Sequence, residues 1–410
     1  MSLKPYTLES MLNNWFKRRV YLDYAAATPA RNEVLKAMSP FWSDRYGNPG
    51  AIHTAGVLAK SAVEEARETV ARTLRVRATD IIFTSGGTES NNLAIRGAVR
   101  AMRLANVPAT DIEIISTAIE HPSVSECLKR LIEEGVRVIY APIDTEGKVI
   151  AEEFKKLLSH RTRLVTIAYA NSETGVVQDI SRLSRMVRMF EKENGLTIPF
   201  HTDAAQAPRW LPCALDSLGV DMMSLDAGKC EGPKGVGVLV KRSRVALSSI
   251  TGGGGQEFKL RPGTEPVPLI VGAATAISLA QKEHESKSAA ASKLRDRWIK
   301  ELTKLPGVLL NGSATERLPN NVNISLPGFD TEFAVVVLDA AGIAASTKSA
   351  CSASGSGRSH VVYTMTGDEA RAASTIRFTL GPETSWRDLK QTTHALRKHI
   401  EKMHQSGLTV

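Results

Sequence analysis

The sequence of 410 residues predicts an α/β protein, with a mainly parallel sheet covered by helices and a smaller α+β unit behind it. Three observations predict this. From about residue 20 to 245, short apolar runs alternate with stretches of helical periodicity, the order that covers both faces of a parallel sheet. Between Thr251 and Pro268 the run TGGGGQEFKLRPGTEPVP interrupts the pattern with Gly and Pro and reads as loop. Beyond it, the pattern changes to one long helix followed by mixed strands and helices. A composition of 42% hydrophobic and 23% charged residues supports a core and excludes wholesale disorder.

Taken in order, residues 1–19 are expected to form a short helix and an arm. Ile81 to Phe83 reads as a strand and Asn91 to Leu104 as a helix. Glu113 to Ile115 is the next strand, Ser123 to Glu134 the next helix. Val136–Ile139, Leu164–Ile167, Thr197–Phe200, Val220–Leu225 and Val236–Val240 follow as strands, with a helix over Arg182 to Glu193. Leu269 to Arg297 is a long helical pattern. Alternating Val322, Ile324 and Leu326, and the run Ile376 to Phe378, are strand signals of the smaller unit.

Several classes are excluded. Gly 30 and Pro 18 are ordinary counts, and no repeat of solenoid period is visible. The opening MSLKPYTLESMLNNWFKRR lacks an apolar signal-peptide core. No apolar run approaches the ~18 residues of a spanning helix; FAVVVLDAAGIAA is short and interrupted by Asp339. Four cysteines, Cys127, Cys213, Cys230 and Cys351, make no disulfide framework and fit a reducing compartment. The expectation is a cytoplasmic protein that avoids membranes. A net charge of +9 permits polyanion contact, but no base-reading or aromatic stacking motif accompanies it, so no direct nucleic-acid contact is expected. No metal site is expected.

Five features carry chemistry. Thr84-Ser85-Gly86-Gly87-Thr88-Glu89-Ser90 joins a strand to a helix. It is either a phosphate cradle at a helix N-terminus or an ordinary turn with a capping hydroxyl. Asp203, in His201-Thr202-Asp203-Ala204-Ala205-Gln206, follows an apolar run, on the side of a parallel sheet where ligands bind. It is either a partner for a protonated ring nitrogen or a metal, or a helix cap. Lys229 follows the strand Val220–Leu225 and precedes Gly232-Pro233-Lys234-Gly235. Alone it would read as a solvated lysine. In order with a cradle and a carboxylate, it completes the parts of a pyridoxal phosphate site: Schiff-base amine, ring-nitrogen partner and phosphate holder. Cys351 stands in the small-residue segment SACSASGSG beside Lys348 and is placed to be a reactive thiolate. The other three cysteines read as buried and inert, although Cys230 adjoins Lys229. Arg377 has the fork that suits an amino-acid carboxylate, or a surface ion pair.

These residues resemble a family. From about Val20 to Leu380 the chain is similar to NifS/IscS-type cysteine desulfurases, fold-type I pyridoxal-phosphate enzymes of the class V aminotransferase group. The resemblance rests on Tyr21-Leu22-Asp23-Tyr24-Ala25-Ala26, Tyr46-Gly47-Asn48-Pro49, TSGGTESNN, EHPSV, ETGVVQDI, HTDAAQ, GPKGVG, GGGGQE with RPGT, SACSAS and IRFTLG, in that order. It implies a seven-stranded, mainly parallel sheet in a large cofactor-binding domain over residues 20–268 and a small α+β domain over 269–410, with the arm packing on the small one. It implies that Lys229 carries pyridoxal 5'-phosphate, that Asp203 pairs with the ring nitrogen and Gln206 with the phenolic oxygen, and that His121 stacks on the ring and moves protons. Gly87 and Thr88 would bind the phosphate, and Thr264 would reach the phosphate of a neighbouring subunit in a homodimer. Ser172 would contact the cofactor, and Arg377 and Asn48 the substrate. Cys351 would take the sulfur of L-cysteine as a persulfide, leaving alanine, and pass it to an acceptor protein for iron–sulfur clusters or tRNA thiolation.

The chain also departs from the pattern. Asp226-Ala227-Gly228 stands where the family usually has Ser-Gly-His. A hydroxyl and an imidazole are lost, and a carboxylate is placed near a phosphate, which it repels unless it turns away or is protonated. Ser172 replaces a second Asn, Cys230-Glu231 replaces bulkier apolar residues, Gly87 replaces Ala, and Lys348 stands where Gly is common. Two readings compete with the desulfurase. One is another class V enzyme, such as a selenocysteine lyase or an aminotransferase. The other is a weakly active homologue serving as a binding scaffold.

Overall fold

The structure, a computed structural model, describes residues 19–347 and 357–405. The expected arm over 1–18, Lys348 and Cys351 lie outside the described residues. Seven strands form the main sheet: β2 (Ile81–Thr84), β3 (Glu113–Ser116), β4 (Arg137–Tyr140), β5 (Thr162–Thr166), β6 (Phe200–Asp203), β7 (Met222–Asp226) and β8 (Gly237–Lys241). Their spatial order is β2-β8-β7-β6-β5-β3-β4. Only β8 runs against its neighbours, so the sheet is mainly parallel, as the alternation predicts.

The inner strands are mostly apolar because both faces are covered. Successive side chains point to opposite faces. Ile81, Phe83, Ile115, Val165, Met223 and Val238 therefore pack on one side, with the helices Thr54–Leu74 and Val267–Leu302. Ile82, Ile114, Leu164, Met222 and Leu239 pack on the other, against Leu93 and Ile95 of Gly87–Leu104 and Val124 and Leu128 of Pro122–Glu133.

Two elements differ from their expected positions in ways that matter for the site. Pro199 has no N–H to give to a ladder, so β6 begins at Phe200 and Asp203 is its last residue. The helix expected from Asn91 begins at Gly87, because Gly86 takes a φ of +154° and turns the chain at once from strand to helix. The small, polar residues of that turn carry no apolar periodicity, which hides the first helical turn from a pattern reading.

The remaining strands are β1 (Val20–Tyr21), β9 (Leu309–Leu310), β10 (Asn321–Ser325), β11 (Ile343–Ala344) and β12 (Thr375–Thr379). β12, β10 and β9 form an antiparallel sheet, and β1 pairs parallel with β11. Around them Trp298, Leu302, Val322, Ile324, Ile376 and Phe378 form a separate core. The 36-residue helix Val267–Leu302 supplies Ile270 and Ile277 to the first core and Trp298 and Leu302 to this one. Its length, about 54 Å at 1.5 Å per residue, connects the two.

The loop read between Thr251 and Pro268 contains a short helical turn, Gln256–Lys259, with Glu257 and Phe258 at positive φ. Glu257 is buried there against Arg67 at 2.7 Å. Its carboxylate accepts the Phe83 N–H at 2.7 Å, and Arg67 donates to the Ile81 carbonyl at 2.8 Å. The pair thus satisfies the open side of β2, which is an edge strand. Among the described residues no helix is long and apolar enough to cross a membrane. No group of three metal-ligating side chains occurs among them either.

Candidate active site

The carboxyl ends of β6 and β7 open into a cavity of about 190 Å³, the position where parallel sheets place ligands. β6 ends in Asp203. β7 ends in Asp226, and a 3-10 turn, Ala227–Lys229, brings Lys229 to the same rim. The segment after β3 supplies His121, and the turn after β2 supplies Gly87 and Thr88. Gln206, Ser172 and, from β12, Arg377 complete the wall. Eight residues singled out from the sequence therefore line one cavity. Asn48 and Thr264 do not. Asn48 is exposed and its Oδ1 accepts the Gly50 N–H at 2.9 Å. Thr264 lies in an outer depression with Glu89, Gln256 and Arg261.

At the β6 end, Asp203 is almost enclosed, and hydrogen-bond donors hold its carboxylate. Oδ1 accepts the Ala205 N–H at 2.9 Å and Oδ2 accepts Asn91 Nδ2 at 2.8 Å. Asn91 also donates to Ser123 Oγ at 2.8 Å, while its own Oδ1 is buried without a partner. His121 caps the helix Pro122–Glu133, its Nδ1 accepting the Ser123 N–H at 3.1 Å. An accepting Nδ1 puts the proton of a neutral ring on Nε2. The preceding residue, Glu120, is held by Thr117 Oγ1 at 2.6 Å and by the Ala168 N–H. Burial, reinforced by the charge of Asp203, pushes its carboxyl up to about 7 against those donors. Lys229 Nζ donates to the carbonyls of Ala25 and Ala26 at 2.8 and 2.6 Å, and Gln206 Nε2 donates to the same Ala25 carbonyl at 3.1 Å.

Arg377 is 3% exposed. Its guanidinium donates to Asp23 Oδ1 at 2.9 Å and to the Ser172 carbonyl at 3.0 Å, while Nε has no partner. Burial raises the Asp23 carboxyl, against the pull of Arg377 and Lys229. Ser346 exchanges both backbone hydrogen bonds with Arg377, at 3.1 and 2.7 Å. The chain therefore leaves the described residues, toward Cys351, from beside the cavity wall. The described chain resumes at Gly357; close by, the Ser359 hydroxyl donates to Glu173, and His360 meets the Ala118 carbonyl at 2.9 Å.

The opposite end of the cavity is made of backbone. A Cβ at Gly237 would stand 2.5 Å from the carbonyl carbon of Gly86, so only glycine lets β8 press this close beneath the turn. The amides of the turn already have acceptors: Ser85 N–H donates to Glu89, Gly86 N–H to Thr84 Oγ1 at 3.4 Å, and Gly87 N–H to Asp226 Oδ2 at 3.2 Å. Asp226 Oδ1 accepts the Gly228 N–H at 2.8 Å. Asp226 faces the turn and does not turn away from it.

The three described cysteines are buried. Burial pushes the thiols of Cys127 and Cys230 up to about 12 and that of Cys213 well above its ordinary value, so all three are thiols rather than nucleophilic thiolates at neutral pH. Glu231 forms a buried ion pair with Arg209, which accounts for a carboxylate at an otherwise apolar position. Asp23, Asn91 and Glu120 were not singled out by sequence reasoning. Each lies inside a motif, but its role depends on a partner distant in the chain.

The class-V aminotransferase family model matches residues 20–391. Cysteine desulfurase IscS of Dictyoglomus turgidum is 41% identical over 388 residues, covering 94% of this chain and 96% of the relative. Cysteine desulfurase IscS of Methanosarcina thermophila is 38% identical over 393 residues, covering 96% and 95%. A solved structure described as a NifS-like protein superposes with a TM-score of 0.86 at 34% identity, spanning 94% of this chain and all of the other. DndA from Streptomyces lividans superposes with a TM-score of 0.73 at 34% identity, over 88% and 99%.

Proposed function

The chain belongs to the class-V aminotransferase family, and from that premise we propose that it is a pyridoxal-phosphate-dependent cysteine desulfurase. It converts L-cysteine to L-alanine and leaves the sulfur as a persulfide on Cys351. One observation carries the reading: Lys229, Asp203, Gln206, His121 and Arg377, scattered over more than half the sequence, line a single cavity beyond the strand ends.

The cofactor supplies a carbonyl that takes up an amino group and a ring that withdraws electrons from the carbon beside it. The residues at the β6 end fit such a group. Lys229 offers the amine that would join it, and the Asp203 carboxylate, held in place by Asn91 and the Ala205 N–H, would pair with a protonated ring nitrogen. The unpartnered Asn91 Oδ1 leaves a buried acceptor in the same wall. His121, with Nδ1 engaged, presents Nε2 for proton transfer. Arg377 would bind the substrate carboxylate through its fork, with Asp23 and the Ser172 carbonyl keeping it aimed.

For sulfur transfer, the Cys351 thiolate bonds to the substrate sulfur. The substrate carbon–sulfur bond breaks with its electron pair left on carbon, and a proton completes the alanine methyl. No external oxidant or reductant is needed. Cys351 is five residues beyond Ser346, hence within about 18 Å of the Arg377 pairing at full extension.

A homodimer, an acceptor protein serving iron–sulfur clusters or tRNA thiolation, and a cytoplasmic setting belong to the same proposal. Support for the dimer comes from Asn48 and Thr264, which stand outside the cavity, and from Trp42, Tyr46 and Ile52, exposed in the chain segment around Asn48. A second copy would cover these side chains and bring such residues to its own partner's site.

The test incubates purified protein with pyridoxal phosphate and L-cysteine, and measures alanine and protein-bound sulfane sulfur. Both products should form, and both should vanish in Cys351→Ser and Lys229→Ala. Bound cofactor without alanine would direct the assignment to another class V reaction. No bound cofactor would leave a scaffold.

A further inference from the structure

We propose that Asp226 is a specificity-determining residue at the backbone end of the cavity, where its carboxylate takes the place of an external anion and weakens the hold on the cofactor's phosphate. The inference rests on the pyridoxal phosphate reading of the site and deepens it.

The start of the helix Gly87–Leu104 presents N–H groups that have no acceptor within the helix and the positive end of the helix dipole, which together attract an anion. Here the protein supplies its own. Asp226 bridges the helix start and the lysine turn, one oxygen on the Gly87 N–H at 3.2 Å and the other on the Gly228 N–H at 2.8 Å. The neighbouring Ser85 N–H is engaged by Glu89. Glu89 is balanced by Arg261 at 3.5 Å, whereas the partners of Asp226 among the described residues are backbone amides, not cations. Lys234, the nearest lysine in sequence after Lys229, donates instead to the Thr28 carbonyl at 2.8 Å.

A phosphate arriving at this turn would therefore displace Asp226 from Gly87 or lie against its charge. The carboxylate lies close over the turn: a Cβ added at Gly87 would stand 3.4 Å from Asp226 Oδ2, in ordinary contact. Like charges at such distances oppose one another. The ring end, with Lys229 and Asp203, then carries most of the affinity, and the phosphate adds little.

The experiment compares pyridoxal phosphate with pyridoxal, which shares the ring and aldehyde and lacks the phosphate. Kd is measured for each by absorbance titration of the stripped, full-length protein, as wild type, Asp226→Asn and Asp226→Ser. Borohydride reduction and peptide mapping report whether each compound attaches to Lys229. The ratio of the two Kd values measures the phosphate contribution and is insensitive to a general loss of folded protein. Asp226→Asn should raise that ratio at least tenfold, about 1.4 kcal/mol, through tighter binding of pyridoxal phosphate alone. Asp226→Ser, which keeps a small acceptor for the Gly228 N–H, should do the same. An unchanged ratio in both variants, with Lys229 labelled, overturns the inference and leaves the cofactor reading standing. No labelling of Lys229 by either compound in any protein overturns both.

Discussion

The two ends of the cavity are built from different parts of the sheet. β6 and β7 lie in its middle and deliver side chains, Asp203 and, one turn later, Lys229, onto a floor packed on both faces. β2 lies at the edge and delivers a turn of backbone amides, which depends on Gly86, Gly237 and the Arg67–Glu257 pair for its shape. A central strand needs no further partner to fix the direction of its last side chain. An edge strand has one row of backbone groups to satisfy, and here a buried carboxylate and guanidinium satisfy them. At the first end the charged groups are ordered by hydrogen-bond partners around them. At the second, charge has been placed on the donors themselves.

The largest effect should come from breaking the edge. Glu257 and Arg67 are both buried, with side chains 2% and 4% exposed. Removing one member strands the other charge, and such losses cost about 3–5 kcal/mol. Glu257→Ala also leaves the Phe83 N–H without its acceptor. Urea denaturation should show a fall of that order, larger than for an exposed pair such as Lys129–Glu126. Equal losses at the two sites would mean that β2 does not need this support.

Next in size is the ring end. Asp203→Ala removes the carboxylate that Asn91 and Ala205 hold in place. Loss of one preorganised electrostatic partner typically lowers turnover by about 10²–10³-fold. The rate of alanine formation should fall by this much, while the pyridoxal-to-pyridoxal-phosphate Kd ratio stays near that of wild type, because the phosphate end is untouched. A ratio that moved with Asp203→Ala would mean that the two ends are coupled and not separate.

How much of this the sequence disclosed follows the same division. Lys229 and Asp203 were legible because each ends or follows an apolar strand, where a ligand group is expected, whereas Arg377 lies in the middle of β12 and was legible only by its fork. The mainly parallel sheet was legible from alternation alone. The supports were not. Asp23 reaches Arg377 only because β1 pairs with β11 and Asp23 bridges to Thr379, a contact between segments 356 residues apart. Asn91 sits in the polar start of a helix whose first turn carries no apolar signal. Glu257 lies in a Gly- and Pro-rich stretch that reads as surface loop, and nothing local marks it as buried. Asp226 was legible as a misfit with the phosphate, but not its direction: only the fold places it on the Gly87 N–H.

The smallest effect separates the two ends by charge. Glu120 adjoins His121 and lies near Asp203, and burial raises its carboxyl from an ordinary value of 4.5 to about 7. The fold therefore favours the protonated form. A carboxyl raised in the folded state contributes its full stability below the unfolded value, near pH 4.5, and loses it as pH rises through about 7. Glu120→Gln keeps the shape and stays neutral, so its stability should match that of wild type near pH 5. Above pH 7 it should exceed wild type, by at most about 3 kcal/mol given 1.36 kcal/mol per pKa unit, and by less where the Thr117 and Ala168 donors have lost an acceptor oxygen. Urea midpoints at pH 5 and pH 8 measure the difference directly. Parallel pH profiles would place a stable negative charge at Glu120. The contrast between an end that neutralises a carboxyl by burial and an end that keeps one on its amides would then fail.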